Sequence, residues 1–396
     1  MHIAIYTLTS ELHDEQAVNT VTQEFLNSLS VDYDFRGSDY SDYGQHPLDL
    51  IYVRTGGTEG LFKRLLPQLL TQSHRPFYLL TSGKSNSLAA SMEILSFLRQ
   101  HNQRGEIIHG SPSYVSRRIG LLAKVGEAKR QMEGCRLGII GEPSDWLISS
   151  HVDHAAVKER LGIELVNVHM QELLDVINDT PQRESDETAP ADALKKALPG
   201  ANQIYDALRV IVSRHHLQGF TLRCFDLLTS VKNTGCLALA KLNAEGIIAG
   251  CEGDVPAMLS MKIVHAATGI SGFQANPASI NTDNGQMVFA HCTIPLNMVD
   301  RYELATHYES GIGIGIRGHM AEGPVTVFKV SGDLSRHFAE EGQLLCSQSN
   351  PDLCRTQQVV QLPADSMSTY FLRAPIGNHH IVVPGHHKTL LQEILK

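Results

Sequence analysis

The first 130 residues alternate short apolar runs with segments of helical periodicity, and this alternation limits the possible folds more than any other feature of the chain. Apolar runs at 2–8, 48–53 and 76–80 precede helical patterns at 15–29, 60–70 and 85–99. Such runs need no polar face when they form buried strands of a parallel sheet covered by helices. The alternation therefore predicts a Rossmann-like or flavodoxin-like α/β domain over residues 1–133.

A second block of the same kind follows a basic helix. A strand at 136–141, a turn, a helix through Val157 and a strand at 163–168 predict a second parallel-sheet domain over residues 134–275. The polar stretch 179–200 is interpreted as a surface segment that becomes helical near Ala191.

The last third of the chain has a different sequence pattern, with shorter β-rich runs and frequent glycine. Strands are predicted at 287–291, 311–318, 325–330, 359–362 and 380–383. These runs predict a C-terminal β-rich, barrel-like domain over residues 276–396.

Charge and cysteine content exclude several classes of protein. The chain has 33 Lys and Arg against 42 Asp and Glu, a net charge of −9, so a nucleic-acid partner is not expected. No signal peptide and no run of about 18 apolar residues is visible, so we expect a cytoplasmic protein without membrane contact. The seven cysteines form no Cys-x-x-Cys pair, which argues against a disulfide framework and a thiolate zinc site.

Two carboxylates follow an apolar run in the second block. Glu252 and Asp254 lie within 250–256, after the run 247–249 and before a helical pattern at 257–265. Open α/β sheets bind ligands beyond the ends of their strands, where these side chains are expected. Asp254 is equally suited to cap the helix, since proline just inside a helix start is common. For Glu252 we favour a functional role.

Histidines flank two apolar runs of the third block. His291 ends the run 287–290, and His379 and His380 precede the run 381–383. Adjacent side chains on an extended chain point to opposite faces, so only one of His379 and His380 can enter a given site. One carboxylate and two imidazoles suit a borderline divalent ion such as manganese. Taken alone, His291 is more typical of a buried core histidine with no ligand role.

Several segments resemble the ligand-bearing region of the L-fucose and L-arabinose isomerases. The segments are 219–225, 237–243, 251–254 and 378–380, and the likeness is strongest over residues 219–300 and 377–387. The resemblance implies a three-domain fold, a bound Mn²⁺ and a homo-oligomer, trimer or hexamer. It also implies that Glu252 is the first metal carboxylate, that His291 is the strand-end histidine ligand, and that His379 or His380 is the late one.

One position departs from the resembled family. Where the family has a second acidic ligand shortly after a phenylalanine, this chain has Asn276. Asn276 is able to coordinate through its carbonyl oxygen but not to act as a base. The proton shuttle then falls to Glu252, our first choice, to Asp254, to Asp283 or to a metal-bound hydroxide.

The loop 81–87 joins a predicted strand to a helix and is a candidate ligand site. Backbone amides at the helix start and the Lys84 ammonium suit an anionic or polyhydroxyl ligand. Helix capping by Ser85 is an equal alternative, and the glycine spacing of an ATP-binding loop is missing. In the resembled family an N-terminal domain covers the neighbouring subunit's site, which implies that Lys84 and Asn86 contact substrate there.

Two further side chains are candidates for substrate contact. Trp146, the one tryptophan of the chain, lies in a turn after a strand, where an indole either stacks on a sugar or packs half-buried. Arg317 ends a glycine and isoleucine repeat and is suited either to an acidic sugar or to a structural ion pair.

Together these features predict a metal-dependent aldose–ketose isomerase acting on a small sugar. A divalent ion bridging the carbonyl and adjacent hydroxyl oxygens stabilises the enediolate that such a reaction forms. Two alternatives are a sugar-binding or regulatory protein that kept the pocket and lost catalysis, and another enediolate reaction such as aldol cleavage.

Overall fold

The computed structural model describes residues 2–184 and 187–396, and the chain divides into two compact units, 1–130 and 131–396. Two residues of the predicted surface segment 179–200, residues 185 and 186, lie outside the described residues.

The first unit is built on a five-stranded parallel sheet in the order β2-β1-β3-β4-β5, the doubly wound flavodoxin-like order. Its strands are β1 (Ile3–Leu8), β2 (Asp34–Gly37), β3 (Leu48–Val53), β4 (Phe77–Leu80) and β5 (Gly105–Ile108). The helices are α1 (Glu15–Asn27), α2 (Glu59–Gln72), α3 (Ser87–Gln100) and α4 (Pro112–Met132), whose last two residues fall in the second unit. Every residue of β1 and β3 is buried, as a sheet covered on both faces requires.

The second unit begins with a four-stranded parallel sheet in the order β7-β6-β8-β9. Its strands are β6 (Arg136–Ile140), β7 (Glu164–Val168), β8 (Gly219–Leu222) and β9 (Ile248–Cys251). The helices are α5 (His154–Leu161), α6 (Met170–Asp179), α7 (Asp192–Arg214), α8 (Phe225–Ser230), α9 (Cys236–Ala244) and α10 (Val255–Thr268).

The rest of the second unit contains a closed six-stranded antiparallel barrel in the order β10-β11-β16-β15-β14-β17. The strands in chain order are β10 (Phe273–Asn281), β11 (Gln286–His291), β12 (Arg301–Ala305), β13 (Gly315–His319), β14 (Gly323–Val330), β15 (His337–Ser347), β16 (Thr356–Gln361) and β17 (His380–Pro384), of which β12 and β13 form a separate pair. Between β16 and β17 lie α11 (Ala364–Ser366) and a π turn (Met367–Phe371), and α12 (Lys388–Ile394) follows β17. A 3₁₀ turn lies at Leu296–Met298, between β11 and β12.

The predicted fold class is confirmed: two parallel-sheet α/β layers are followed by a β-rich barrel. The domain boundaries at residues 133 and 275 stay predictions. The strand predicted at 311–318 is wrong at its start, because Gly311 and Gly313 adopt positive φ angles of 67° and 64° and extended pairing begins only at Gly315. All seven cysteines are free and five of them are buried, as small core residues are. Among the described helices, none has the length and apolar character needed to cross a bilayer.

Candidate metal centre

Three side chains from remote segments of the second unit meet at one point. Glu252 directly follows β9, His291 is the last residue of β11, and His379 directly precedes β17. One ligand atom from each residue lies within 4.8 Å of the other two. Glu252 Oε1 is 3.5 Å from His291 Nε2 and 3.6 Å from His379 Nε2. The three candidate ligands that the sequence places at the ends of apolar runs therefore lie next to one another.

The backbone around Glu252 is held in an uncommon conformation. Glu252 has a φ of 64°, in the left-handed region that few residues other than glycine adopt. Gly253 follows with a φ of 70°, and a Cβ there would lie 2.6 Å from the Glu142 carbonyl oxygen, so only glycine fits. Gln274 on β10 accepts from the Cys251 amide at 2.9 Å and donates to the Cys251 carbonyl, which fastens the end of β9 to the barrel.

The barrel brings the two histidines to the two sides of one strand, β10. Strand β10 lies between β11 and β17, and Ala275 of β10 pairs with His380. His291 and His379 consequently flank β10, and their ring centroids are 5.4 Å apart. The closure of the barrel therefore fixes the spacing of the two imidazoles.

His380 is turned away from this cluster. Its Nδ1 donates to the Asn378 carbonyl and its Nε2 accepts from the Tyr370 hydroxyl at 2.9 Å. Its ring packs against Phe338 and Phe371, and burial lowers its pKa to about 3, so the ring is neutral. Of the two adjacent histidines predicted as alternative ligands, the structure places His379 beside Glu252.

Asp254 lies behind His379 and is fully buried. It is the N-cap of α10, since its Oδ1 accepts from the Ala257 amide at 2.8 Å, as the capping interpretation predicted. Its Oδ2 accepts from His379 Nδ1 at 2.8 Å and lies 3.4 Å from Lys329 Nζ. Asp254 therefore orients a histidine in this structure, and its predicted catalytic role stays a prediction.

Trp146 contacts the second oxygen of Glu252. Its indole Nε1 donates to Glu252 Oε2 at 2.6 Å, and its ring packs edge-on against Phe225. The side chain nevertheless keeps 51% of its surface exposed. One indole thus fixes the Glu252 carboxylate and offers an aromatic surface beside it.

Charge within the cluster favours an anionic glutamate. Burial alone raises the pKa of Glu252, but the His291 and His379 rings beside its carboxylate outweigh this effect and hold that pKa well below its usual range. Burial lowers the pKa of His379, whereas the carboxylates of Asp254 and Glu252 overcome this and raise it to about 9. The site therefore attracts positive charge, whether a proton or a cation.

The donor atoms fit a divalent cation. His291 Nδ1 and Nε2 and His379 Nε2 are buried and have no hydrogen-bond partner, which is costly for buried polar atoms. Two ligands that each lie about 2.1 Å from one ion in tetrahedral geometry are about 3.4 Å apart. The separations of 3.5 and 3.6 Å match that spacing. A cation among the three residues would give His291 Nε2 and His379 Nε2 a partner.

Trp146 provides a local probe of this site. We expect Co²⁺ to quench the tryptophan emission saturably, because the indole contacts Glu252 and no other tryptophan contributes. Titration of the chelator-treated protein with Co²⁺ measures the effect, with Mg²⁺ as the non-quenching control. Co²⁺ binding by calorimetry without quenching would place the ion elsewhere.

Cation affinity is expected to increase with pH. Because the pKa of His379 is raised to about 9, its ring carries a second proton below that pH, and a cation must displace this proton. Glu252 is already ionised over this range, since its pKa is lowered. The association constant for Mn²⁺ should therefore rise by up to about tenfold per pH unit between pH 6.5 and 8.5. Electron paramagnetic resonance of free Mn²⁺ measures it, and a flat profile would contradict the assignment of His379.

Three other residues named from the sequence, Asn276, Arg317 and Asp283, have different surroundings. Asn276 is half-buried, and its Oδ1 accepts from Asn378 Nδ2 at 3.1 Å. Arg317 pairs with Glu303 at 3.3 Å, as the ion-pair interpretation predicted. Asp283 lies in the exposed turn at the opposite end of β11 from His291 and is too far away to act as the proton shuttle.

The loop after β4 belongs to the first unit. Lys84 is exposed, and Asn86 has a φ of 58° and precedes α3. Capping by Ser85 is wrong, since Asn86 occupies the N-cap position and makes no side-chain cap. Ligand roles of Asn276, Arg317, Lys84 and Asn86 stay predictions.

A cavity of about 650 Å³ lies at the carboxyl ends of β6 and β8, where the strand order of the second sheet reverses. Gly141, Pro143, Asp145 and Arg223 line it. The loop that contributes Pro143 and Asp145 continues directly to Trp146, so this cavity and the Glu252 cluster share one loop. Its volume is in the range of small-molecule sites.

Sequence reasoning missed Gln274 and Lys329. Gln274 is a polar residue at an otherwise apolar strand start, and Lys329 interrupts the apolar run of β14. A buried amide or ammonium in such a run signals a specific partner. The partners themselves lie 23 and 75 residues away in the chain.

No protein-family model matches the chain. It is 23% identical over 261 residues to the sulfoquinovose isomerase of Alkalicoccus urumqiensis, a match that covers 62% of this chain and 59% of that protein. It is 21% identical over 288 residues to the sulfoquinovose isomerase of Priestia aryabhattai, covering 67% and 62%. For that of Clostridium sp. (strain MSTE9), the identity is 22% over 309 residues, covering 71% and 67%.

The chain thus spans about three fifths of the length of the first two relatives. Over most of its own length, the chain is similar to proteins named sulfoquinovose isomerases.

Proposed function

We propose that the chain is a metal-dependent aldose–ketose isomerase and that Glu252, His291 and His379 hold its cation. The observation that carries the proposal is the convergence of three buried side chains in which the two nitrogens facing Glu252, His291 Nε2 and His379 Nε2, have no hydrogen-bond partner. Similarity to sulfoquinovose isomerases supports the same class of reaction. Manganese is the ion we expect, since the donors are one oxygen and two nitrogens.

The proposed reaction moves a proton between two adjacent carbons of the sugar. The cation, when bound, polarises the carbonyl and hydroxyl oxygens and stabilises the charge of the enediolate. Glu252 has its Oε1 toward the histidines and its Oε2 on the Trp146 indole. We assign the proton transfer to Glu252 Oε2, because Asp254 is fully buried and already accepts three hydrogen bonds. The half-exposed face of Trp146 stacks on the sugar ring in this proposal.

The substrate class we propose is a sulfonated aldose. This choice rests on the relatives' name alone, since their substrate is a sulfonated sugar. The cavity that shares the Trp146 loop has room for a hexose and contains the Arg223 guanidinium. Arg223 is itself paired with Asp145 and Asp226, so it offers an anion only part of its charge.

The test is proton exchange at the carbon next to the carbonyl. The purified protein is stripped of metal, supplied with Mn²⁺ and incubated with sulfoquinovose in deuterated water, and proton NMR follows the signal at C2 and the appearance of the ketose. We expect loss of the C2 proton and formation of ketose, both abolished by chelator. No exchange with sulfoquinovose or with a panel of other aldoses would refute the proposal.

A second candidate function is a sugar-binding protein without turnover. Asn276 favours it, because that residue stands where the resembled isomerases have a second acidic ligand. Saturable, Mn²⁺-dependent sugar binding in the absence of any C2 exchange would support this function in place of catalysis.

A further inference from the structure

Three almost completely buried side chains form a line that ends at the candidate metal site of Glu252, His291 and His379. The exposed fractions are 1% for Lys329, 0% for Asp254 and 0% for His379. Lys329 Nζ is 3.4 Å from Asp254 Oδ2, and the same oxygen is 2.8 Å from His379 Nδ1. Lys329 belongs to β14, Asp254 to the start of α10, and His379 to the segment before β17, so the line joins three elements.

The two oxygens of Asp254 have different partners. Oδ1 accepts from the Ala257 amide at the start of α10. Oδ2 faces the Lys329 ammonium, which only donates hydrogen bonds, so Oδ2 serves as an acceptor. His379 must therefore be the donor in its contact with Oδ2, which places the ring proton on Nδ1.

The position of this proton determines whether the other ring nitrogen, His379 Nε2, can bind a cation. With its proton on Nδ1, neutral His379 presents a lone pair at Nε2, toward Glu252 Oε1 3.6 Å away. A lone pair facing a carboxylate oxygen is unfavourable unless a cation lies between them. A metal-ligating histidine commonly has its other ring nitrogen fixed by a carboxylate in this way.

We infer that Lys329 is a positioning residue that acts through Asp254 to hold His379 in the tautomer with Nε2 free to bind the cation. The inference deepens the proposed function and rests on its metal site. A purely stabilising role explains the buried pair poorly, since replacing such pairs by apolar residues is often neutral or stabilising. Lys329 does not touch the reacting sugar in this account.

The test compares Lys329→Met with a control variant, Lys262→Met. Lys262 is another buried lysine, 6% exposed, on α10. Mn²⁺ affinity of the full chain is measured by electron paramagnetic resonance, after circular dichroism has established that each variant is folded. We expect Lys329→Met to weaken Mn²⁺ binding about tenfold to a hundredfold and Lys262→Met to leave it unchanged.

Histidine NMR supplies a readout that a merely structural role would not move. In protein with ¹⁵N-labelled histidine, the His379 signals are assigned by their loss in His379→Gln. We expect the metal-free wild type at pH 9.5 to carry the ring proton on Nδ1. Lys329→Met should lose that preference, because the ammonium no longer holds Asp254 Oδ2 in place beside Nδ1. A folded Lys329→Met variant with the wild-type tautomer and Mn²⁺ affinity would overturn the inference.

The double variant Asp254→Asn with Lys329→Met keeps the test decisive if Lys329→Met does not fold. This variant is uncharged at both positions. The side-chain oxygen of Asp254→Asn can still accept from the Ala257 amide, so its NH₂ group faces His379 Nδ1. We expect the ring proton to move to Nε2 and Mn²⁺ binding to be lost. Wild-type Mn²⁺ affinity in this variant would overturn the inference. A wild-type protein that binds no Mn²⁺ would instead refute the proposed function.

Discussion

Replacing Glu252 by glutamine is expected to lower kcat/KM for the sugar by about a thousandfold or more and to weaken Mn²⁺ binding at least about a hundredfold. Glutamine has the size of glutamate and keeps an oxygen for the Trp146 indole. It lacks the negative charge that faces His291 and His379, and it cannot accept a proton from a carbon. The change therefore removes the proposed chemistry while the packing is preserved.

The control for this variant is Glu245→Gln. Glu245 accepts from the Tyr205 hydroxyl and pairs with Arg209 near the surface at the end of α9, so its loss should change turnover little. Steady-state rates, Mn²⁺ titration and thermal unfolding are measured for both variants. Turnover by Glu252→Gln at the level of Glu245→Gln would exclude Glu252 from the reaction.

Replacing His379 by glutamine is expected to weaken Mn²⁺ binding about a hundredfold or more, whereas His380→Gln should retain it. The two residues are adjacent but serve different surroundings. His379 reaches Glu252, and His380 bonds to Tyr370 among the aromatic rings of the barrel core. His380→Gln should instead lower the free energy of unfolding by about 1–3 kcal/mol, because a fully buried ring is lost and the half-buried Tyr370 hydroxyl loses its imidazole acceptor.

Paired measurements decide between the two histidines. Urea unfolding of the metal-free proteins gives the stability, and Mn²⁺ titration gives the affinity. If His380→Gln lost the metal and His379→Gln kept it, the orientation of these two side chains described above would be wrong.

The fold was predictable from local patterns where the strands are parallel. Apolar runs such as 48–53 and 247–249 predict buried strands. The residues that follow such a strand lie at the ligand-binding edge of the sheet. Glu252 could be singled out on this basis, and His291 followed from its place at a strand end. Periodicity placed both residues at strand ends, whereas their roles as metal ligands came from the resemblance to the isomerases.

The barrel and the contacts around the site could not be predicted in the same way. Which strands pair in a closed antiparallel barrel depends on contacts between remote segments, so β15, the longest strand, had no local signal that identified its neighbours. The choice between His379 and His380 depends on that pairing, since a shift of one residue exchanges the two faces. The indole donor to Glu252 comes from 106 residues away.

The central claim is that Glu252, His291 and His379 hold one divalent cation, and anomalous diffraction from crystals soaked in Mn²⁺ tests it most directly. The account predicts an anomalous peak about 2.0–2.3 Å from Glu252 Oε1, His291 Nε2 and His379 Nε2. Fully ordered crystals with no peak among these atoms, or with the manganese bound elsewhere in the chain, would contradict it.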